Sequence, residues 1–205
     1  MATGPATPYP VSVEGALDSS LSRWLWLVKW LLAIPHYIVL LFLWIAYAIV
    51  TIVAFFAILF TGRYPRSLFD FNVGVLRWTW RVAFYSYSAL ATDRYPPFTL
   101  EHREYPATLQ VEYPEQLSRG LVLVKWWLLA IPHYLIAAVL QGGLGPRHGG
   151  LQLLLVLFAG IALLFTGRYP QSLFTLVLGI SRWTIRVTAY ASLMRDEYPP
   201  FRLSP

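Results

Sequence analysis

The sequence contains no cysteine and few charged residues. The absence of cysteine excludes disulfides, thiolate metal sites and a cysteine nucleophile. Only 13% of the residues are charged, whereas 57% are hydrophobic and the mean hydropathy is +0.53. The amino terminus lacks the basic segment of a secretory signal. We therefore expect the first apolar run to be retained as a membrane anchor, and residues 1–8 to be a disordered arm.

The sequence also lacks the motifs of common enzyme sites. It has no Ser-His-Asp order, no HExxH, no glycine-rich phosphate loop and no paired carboxylates. Its apolar segments carry no acidic residue, although proteins that move protons or ions usually have one at membrane depth. These absences predict a protein that is not an enzyme, with no catalytic residue and no metal site.

The basic residues are scattered singly, so they do not form a nucleic-acid patch. The formal charge is +6, but there is no basic run and no nucleic-acid motif. Most basic residues lie beside apolar segments, where they favour the cytoplasmic face and anionic headgroups. We expect membrane lipids as partners, with a membrane-protein partner or a second copy of the chain, and no nucleic acid.

The longest uncharged segment extends from Trp30 to Phe60. These 31 residues contain no Asp, Glu, Lys or Arg, and about 20 apolar residues already span a bilayer core. A membrane protein is therefore the first interpretation.

The chain consists of one module written twice, predicted as modules 9–104 and 105–205. WLLAIPHY occurs at Trp30–Tyr37 and again at Trp127–Tyr134, and the other matches follow in the same order. They are LSRWLWLVKW with LSRGLVLVKW, LFTGRYPRSLF with LFTGRYPQSLF, RWTWRV with RWTIRV, and DRYPPF with DEYPPF. Matches in a fixed order over nearly the whole chain indicate a tandem duplication.

The second copy contains extra residues, QGGLGPRHGG, at Gln141–Gly150. Because glycine and proline at this density break a helix, we expect the chain to fold back there, and the first copy to turn near Leu43–Tyr47. Each module is thus predicted to contain a helical hairpin. The predicted pairs are Asp18–Phe42 with Ala46–Thr61, and Glu115–Leu140 with Leu151–Thr166.

A third helix follows each hairpin, at Ser67–Leu90 and at Ser172–Met194. Arginines on one stripe of it fit either a third span or an interfacial amphipathic helix. Two spans per module place 15 of the 16 Lys and Arg residues on the cytoplasmic side, with only Arg147 outside. We therefore predict an all-α membrane protein: a four-span bundle with two interfacial helices, multi-pass in the inner (plasma) membrane, with both termini cytoplasmic.

Four short segments have the alternation of strands and predict a small cytoplasmic sheet that pairs across the copies. They are Tyr9–Glu14, Pro97–His102, Ala107–Tyr113 and Pro200–Leu203.

The repeated motifs together resemble the bacterial membrane family named domain of unknown function 4389, over both modules almost end to end. The resemblance implies an integral membrane protein in which the unit is often repeated. It implies no catalytic residue and no substrate.

Two histidines follow the prolines of the repeated motif. Pro35 and Pro132 kink a helix, and His36 and His133 satisfy the backbone groups that the kinks free. Alternatively, like-oriented copies place the two imidazoles at one depth as axial ligands of a haem, or against a lipid headgroup or a quinone.

The repeated basic residues are candidate lipid ligands. Lys29 and Lys125 precede tryptophan, a pattern typical of anchoring at headgroup level or of phosphate binding. Arginines four residues apart on the third helices, Arg77 with Arg81 and Arg182 with Arg186, are spaced to hold one phosphate or to be solvated at the interface. The leading hypothesis is a non-catalytic membrane scaffold or accessory subunit; the alternatives are lipid binding or transport through these arginines, and a haem or quinone carrier.

Overall fold

The computed structural model describes residues 9–142 and 150–204. Its main elements are β1 (Val11–Gly15), α1 (Lys29–Thr61), α2 (Arg66–Tyr85), β2 (Ala107–Val111), α3 (Leu121–Val124), α4 (Ile131–Gln141), α5 (Leu151–Thr166) and α6 (Gln171–Ala191). The predicted mainly helical fold with a small sheet is confirmed. The predicted arm at residues 1–8 and most of the predicted turn at Gln141–Gly150, Arg147 included, lie outside the described residues.

The first long apolar segment is one helix, so the predicted turn near Leu43–Tyr47 is wrong. Helix α1 continues for 33 residues through Pro35. The segment from Leu43 to Tyr47 has no glycine or proline to end a helix. Gly62, in the left-handed conformation at φ 72°, ends it and donates its N–H to the Ile58 carbonyl at 2.8 Å.

The second copy absorbs an extra residue as a π-helical turn. The first copy has one tryptophan after its lysine and the second has two, Trp126 and Trp127. Residues Lys125–Leu129 form the π-helical turn, and this wider turn takes up one residue without ending the helix. The second histidine therefore keeps the place of the first.

Helix α5 continues the direction of α4. Contacts along the second copy run in one order, as they do in the first. They join Lys125 with Tyr190, His133 with Trp183, Gln152 with Ser181, and Tyr169 with Phe174. In the first copy they join Lys29 with Tyr85, His36 with Trp78, Thr51 with Asn72, and Tyr64 with Phe69. A hairpin would reverse this order, so the insertion interrupts a long helix that is otherwise equivalent to α1.

Among the described residues two helices are long and apolar enough to cross a membrane, by length and composition alone. They are Lys29–Thr61 and Leu121–Gln141, and the apolar helix Leu151–Thr166 is shorter. The prediction of four spans is wrong because the first predicted hairpin is one helix.

Helices α2 and α6 lie inside the molecule, between the long helices and the sheet. Twelve of the 20 residues of α2 are buried, on every side of the helix. Helix α2 packs against α1 on one side and β2 on the other, while α6 packs against α5 and β1. This interior position differs from the predicted one at the membrane interface, because the arginine stripe faces the sheet layer.

The two strands form an antiparallel pair centred on equivalent residues. Val13 pairs with Leu109, and Val11 pairs with Val111. Since Val13 and Leu109 occupy the same place in the two copies, the pairing has local twofold symmetry. The predicted pairing across the copies is confirmed for these two segments. The segments Pro97–His102 and Pro200–Leu203 are irregular and not strands.

Candidate functional site

Each copy has a buried lysine in an ion pair, at the start of α1 in the first copy and directly after α3 in the second. Lys29 is 1% exposed, and its Nζ lies 2.8 Å from Asp93 Oδ1 and donates to the Thr92 carbonyl at 2.7 Å. The second oxygen of Asp93 accepts the N–H of Ser22 at 2.6 Å. The lysine thus fastens the start of α1 to the chain that follows α2.

The second copy repeats this clamp with the same groups. Lys125 Nζ lies 2.6 Å from Asp196 Oδ1 and donates to the Arg195 carbonyl at 3.0 Å. Asp196 Oδ2 accepts the N–H of Ser118 at 2.6 Å. Asp93 and Asp196 are therefore the equivalent partners of the two lysines.

Each histidine lies in an aromatic cage built by its own copy. His36 stacks on Phe98 with ring centroids 4.0 Å apart, lies 4.8 Å from the Tyr95 ring, and accepts a hydrogen bond from Trp78 Nε1 at 3.1 Å through Nδ1. The imidazole is fully buried. The YPPF motif therefore covers the histidine of the same copy.

The second cage has the same walls but a different hydrogen-bond arrangement. His133 stacks on Phe201 at 4.4 Å and lies 4.7 Å from the Tyr198 ring and 5.4 Å from the Trp183 ring. Neither imidazole nitrogen has a hydrogen-bond partner among the described residues. The tilted Trp183 ring packs against this imidazole and does not donate to it.

These cages do not fit the haem hypothesis for His36 and His133. Both imidazoles are fully buried, and the stacked Phe98 and Phe201 each cover one ring face. A bis-histidine haem needs open space at the coordinating nitrogen of both rings, and each ring is instead enclosed within its own copy.

The arginines of α2 donate to backbone carbonyls. Arg77 reaches the Leu100 carbonyl at 3.0 Å and the Leu109 carbonyl of β2 at 3.3 Å. Arg81 reaches the carbonyls of Thr99 at 2.8 Å and Glu101 at 3.0 Å. Burial, with the nearby Arg77 charge, lowers the pKa of Arg81 to about 10, so it stays charged at neutral pH.

The arginines of α6 make the equivalent contacts, including one with β1, the strand that comes from the first copy. Arg182 donates to the Val13 carbonyl of β1 at 3.0 Å and to the Leu203 carbonyl at 3.1 Å. Arg186 donates to the Ser204 carbonyl at 3.0 Å. Each copy therefore holds the strand of the other copy, and the arginines satisfy carbonyls that the irregular segments leave free.

The structure gives all six predicted lipid ligands internal partners. Lys29 and Lys125 are buried, not at an exposed headgroup level, and the four arginines face the sheet layer. A phosphate would have to displace these acceptors. Lipid binding through the six side chains stays a prediction, and their contacts already account for their recurrence in both copies.

The long helices expose one apolar face along their whole length. On α1 the exposed large residues recur every three or four positions, at Ile34, Ile38, Leu41, Ile45, Ile49, Ile52, Phe56 and Phe60. On the second copy they are Ile131, Leu135, Val139, Leu151, Leu154, Phe158, Ile161 and Phe165. We call these two stripes together the apolar face.

Exposed arginines lie at both ends of the apolar face. Arg119 lies against Gly62, beside Arg63, and Arg23 lies against Gly167, beside Arg168. Exposed tryptophans accompany them near the starts of the long helices, at Trp24, Trp30, Trp126 and Trp127.

Two adjoining cavities lie between the copies and share lining residues. The central cavity, of about 220 Å³, is bordered by Trp44, Gln141, Gln152, Ser181 and Thr184, among others. The side cleft, of about 470 Å³, shares Trp44, Thr184 and Thr188 with it and extends to Ala48 and Ile52. Sequence reasoning missed both cavities. It also missed the cage residues of the YPPF motifs, although their recurrence in both copies was a signal that pointed to them.

The fold and these paired features define a duplicated helical protein with exchanged strands. The chain matches the family model described as Domain of unknown function (DUF4389) at residues 23–99 and again at residues 121–202. The protein belongs to that family, and the two matches agree with two tandem copies. No curated protein and no solved structure matches the chain.

Proposed function

We propose that the protein is a non-catalytic membrane module whose long helices lie in the plane of the plasma membrane, within the cytoplasmic leaflet. The apolar face is immersed among the lipid chains, and the sheet faces the cytoplasm as a platform for a protein partner. The proposal keeps the scaffold role expected from the sequence, and it replaces the four-span topology with an in-plane orientation of the long helices.

The position of the sheet carries the proposal. Trp80 of α2 donates to the Glu14 carbonyl of β1 at 3.1 Å, while Trp78, two residues away, contacts His36 of α1. If α1 crossed the bilayer, the sheet would therefore lie at membrane depth. Its outer side carries exposed polar residues, Ser12, Glu14, Gln110 and Glu112, and open sheet edges do not occur against lipid.

An in-plane orientation satisfies each side of the molecule. Helices with one apolar face lie about 5–10 Å deep at the boundary between headgroups and chains. The arginines and tryptophans at the ends of the apolar face suit headgroup level, and anionic cytoplasmic lipids attract the arginines.

Spin labels along α1 test the orientation. The chain has no cysteine, so single substitutions Ile34→Cys, Ile45→Cys and Phe56→Cys can be labelled cleanly. The three sites are 11 residues apart on the same face. In vesicles of phosphatidylethanolamine and phosphatidylglycerol, we expect oxygen accessibility to place all three labels at one depth, within about 5 Å.

A crossing helix would give a different profile. The outer two sites are about 33 Å apart along the axis, so Ile45→Cys would be deepest and the other two close to opposite surfaces. Glu14→Cys is the control and should be accessible to an aqueous nickel reagent. A crossing profile overturns the proposal. So do three labels that are accessible to the aqueous nickel reagent, or three labels shielded from both oxygen and nickel because two copies pair through this face.

A further inference from the structure

The two copies differ where they face each other across the central cavity. The clamps, cages and arginine contacts are made by the same side chains in both copies, but four equivalent pairs of lining residues differ. Trp44, Leu76, Trp80 and Ala83 of the first copy correspond to Gln141, Ser181, Ile185 and Thr188 of the second. The wall from the first copy is therefore mostly apolar, with Thr79 and Ser88 as its hydroxyl residues, and the wall from the second copy carries the amides and more hydroxyl groups.

The polar wall contains a connected amide network. Gln141 Nε2 donates to Gln152 Oε1 at 2.6 Å and to Thr184 Oγ1 at 3.2 Å. Gln152, which is 4% exposed, donates to the Ser88 carbonyl at 2.8 Å and to Ser181 Oγ at 2.9 Å. Burying such a network between apolar helices is costly unless its groups are satisfied. These hydrogen bonds hold the two amide groups at the wall of the central cavity.

The side cleft connects this polar wall to the apolar face. It runs from Thr184 and Thr188 past Ala137 to Ala48 and Ile52, and the last two side chains are exposed on α1. None of the described residues that line either cavity is acidic, basic or histidine. The lining therefore provides hydrogen bonds but no counter-charge for a phosphate or carboxylate.

We propose that these cavities bind one neutral single-chain lipid with a hydroxyl head. The head hydroxyl lies at the amide and threonine wall of the central cavity, and the hydrocarbon chain lies in the side cleft. The proposal rests on the proposed function only in that the lipid enters from the apolar face. Binding itself does not depend on how the molecule is oriented in a membrane.

Photo-crosslinking of the full-length protein in detergent tests the proposal. The probe is a monoacylglycerol with a diazirine in its acyl chain, and a lysophosphatidylglycerol with the same chain is the charged counterpart. We expect one monoacylglycerol per chain, attached within α1, α4 or α6 near the cleft. The charged probe should bind at least about tenfold more weakly, as expected for an unpaired charge placed in an uncharged cavity.

Two variants separate head recognition from chain recognition. Gln141→Leu combined with Thr184→Val removes hydrogen-bonding groups and should weaken binding of the neutral probe about tenfold. Ala48→Leu, which introduces the residue that the second copy has at Leu153, should block the cleft from an exposed position without disturbing the fold. Thr175→Val, at an exposed threonine of the same helix α6, is the matched control and should bind like the unchanged protein.

The outcomes are distinct. Equal binding of the charged probe, unchanged binding by both variants, or attachment outside the cleft overturns the proposal. If the double variant unfolds in a thermal scan, Ala48→Leu decides alone. Failure of the spin-label test with intact crosslinking rejects the in-plane orientation and leaves this lipid site standing.

Discussion

Replacing Lys29 with methionine should destabilise the protein more than any loss of a surface charge. Methionine keeps most of the volume of the buried stem but leaves Asp93 without its cation. Removing one partner of a buried ion pair costs about 3–5 kcal/mol. The Asp93 side chain is 23% exposed, so residual hydration puts the expected cost near the lower end, about 3 kcal/mol.

Thermal unfolding in detergent, followed by tryptophan fluorescence, measures the effect. For a chain of this size about 1 kcal/mol corresponds to a shift of about 2–4 °C, so the midpoint should fall by about 6–12 °C. The double variant Lys29→Met with Asp93→Asn should recover at least half of the loss. The asparagine oxygen is neutral and still accepts the Ser22 N–H.

The matched control is an exposed pair on the same half of the chain. Arg66 and Asp70 are 66% and 56% exposed at a distance of 3.1 Å, and such pairs contribute about 0.3–0.5 kcal/mol. Asp70→Asn, which leaves the contact of Arg66 with the Tyr113 ring in place, should therefore lower the midpoint by no more than about 2 °C. Equal shifts for Lys29→Met and Asp70→Asn, or a double variant that is less stable than Lys29→Met, would refute the role assigned to the clamp.

Two further changes test the fold. Replacing residues 142–151 with the Ile-Ala pair that stands at Ile45 and Ala46 should join α4 and α5 into one helix. Circular dichroism should show an undiminished helical signal and an unfolding midpoint within about 4 °C of the unchanged protein. Loss of helical signal would contradict the end-to-end arrangement. Gly74→Ala should cost about 1–3 kcal/mol, because its Cβ would lie 2.8 Å from Leu100 Cβ. Gly120→Ala is the control, since the nearest atom to its Cβ is Ser118 Oγ at 4.0 Å, and equal unfolding midpoints for these two variants would exclude close packing at Gly74.

The duplication, the helix ends at Gly62 and Gly167 and the strand pairing could be predicted from the sequence. These features depend on local signals: repeated sequence motifs, glycine after an apolar run, and the alternation of apolar and polar residues around Val13 and Leu109. The course of α1 could not be predicted in the same way. Trp30–Phe60 is one uncharged run, and within such a run hydropathy does not distinguish one long helix from two antiparallel helices.

The roles of the charged residues were hidden for a different reason. The spacing of Arg77 and Arg81 shows that they share a helix face, but their acceptors are backbone carbonyls, which carry no residue-type signal. The sequence gives no sign that Asp93 pairs with Lys29, because the lysine lies 64 positions earlier. The repetition of both groups in the second copy indicated that they matter, without indicating what they contact.

The exchanged strands explain why the clamps and arginines recur while the cavity walls differ. Arg77 of the first copy needs the Leu109 carbonyl of the second, and Arg182 needs the Val13 carbonyl of the first. A separated copy would lose these acceptors and also the strand that covers its arginine-bearing helix, which exposes apolar core to water and is unfavourable. Both copies therefore need the same framework. None of the described residues that line the central cavity is charged, so no buried charge of one copy depends on the other copy there. Its two walls are therefore free to differ, and the wall from the second copy is the more polar of the two.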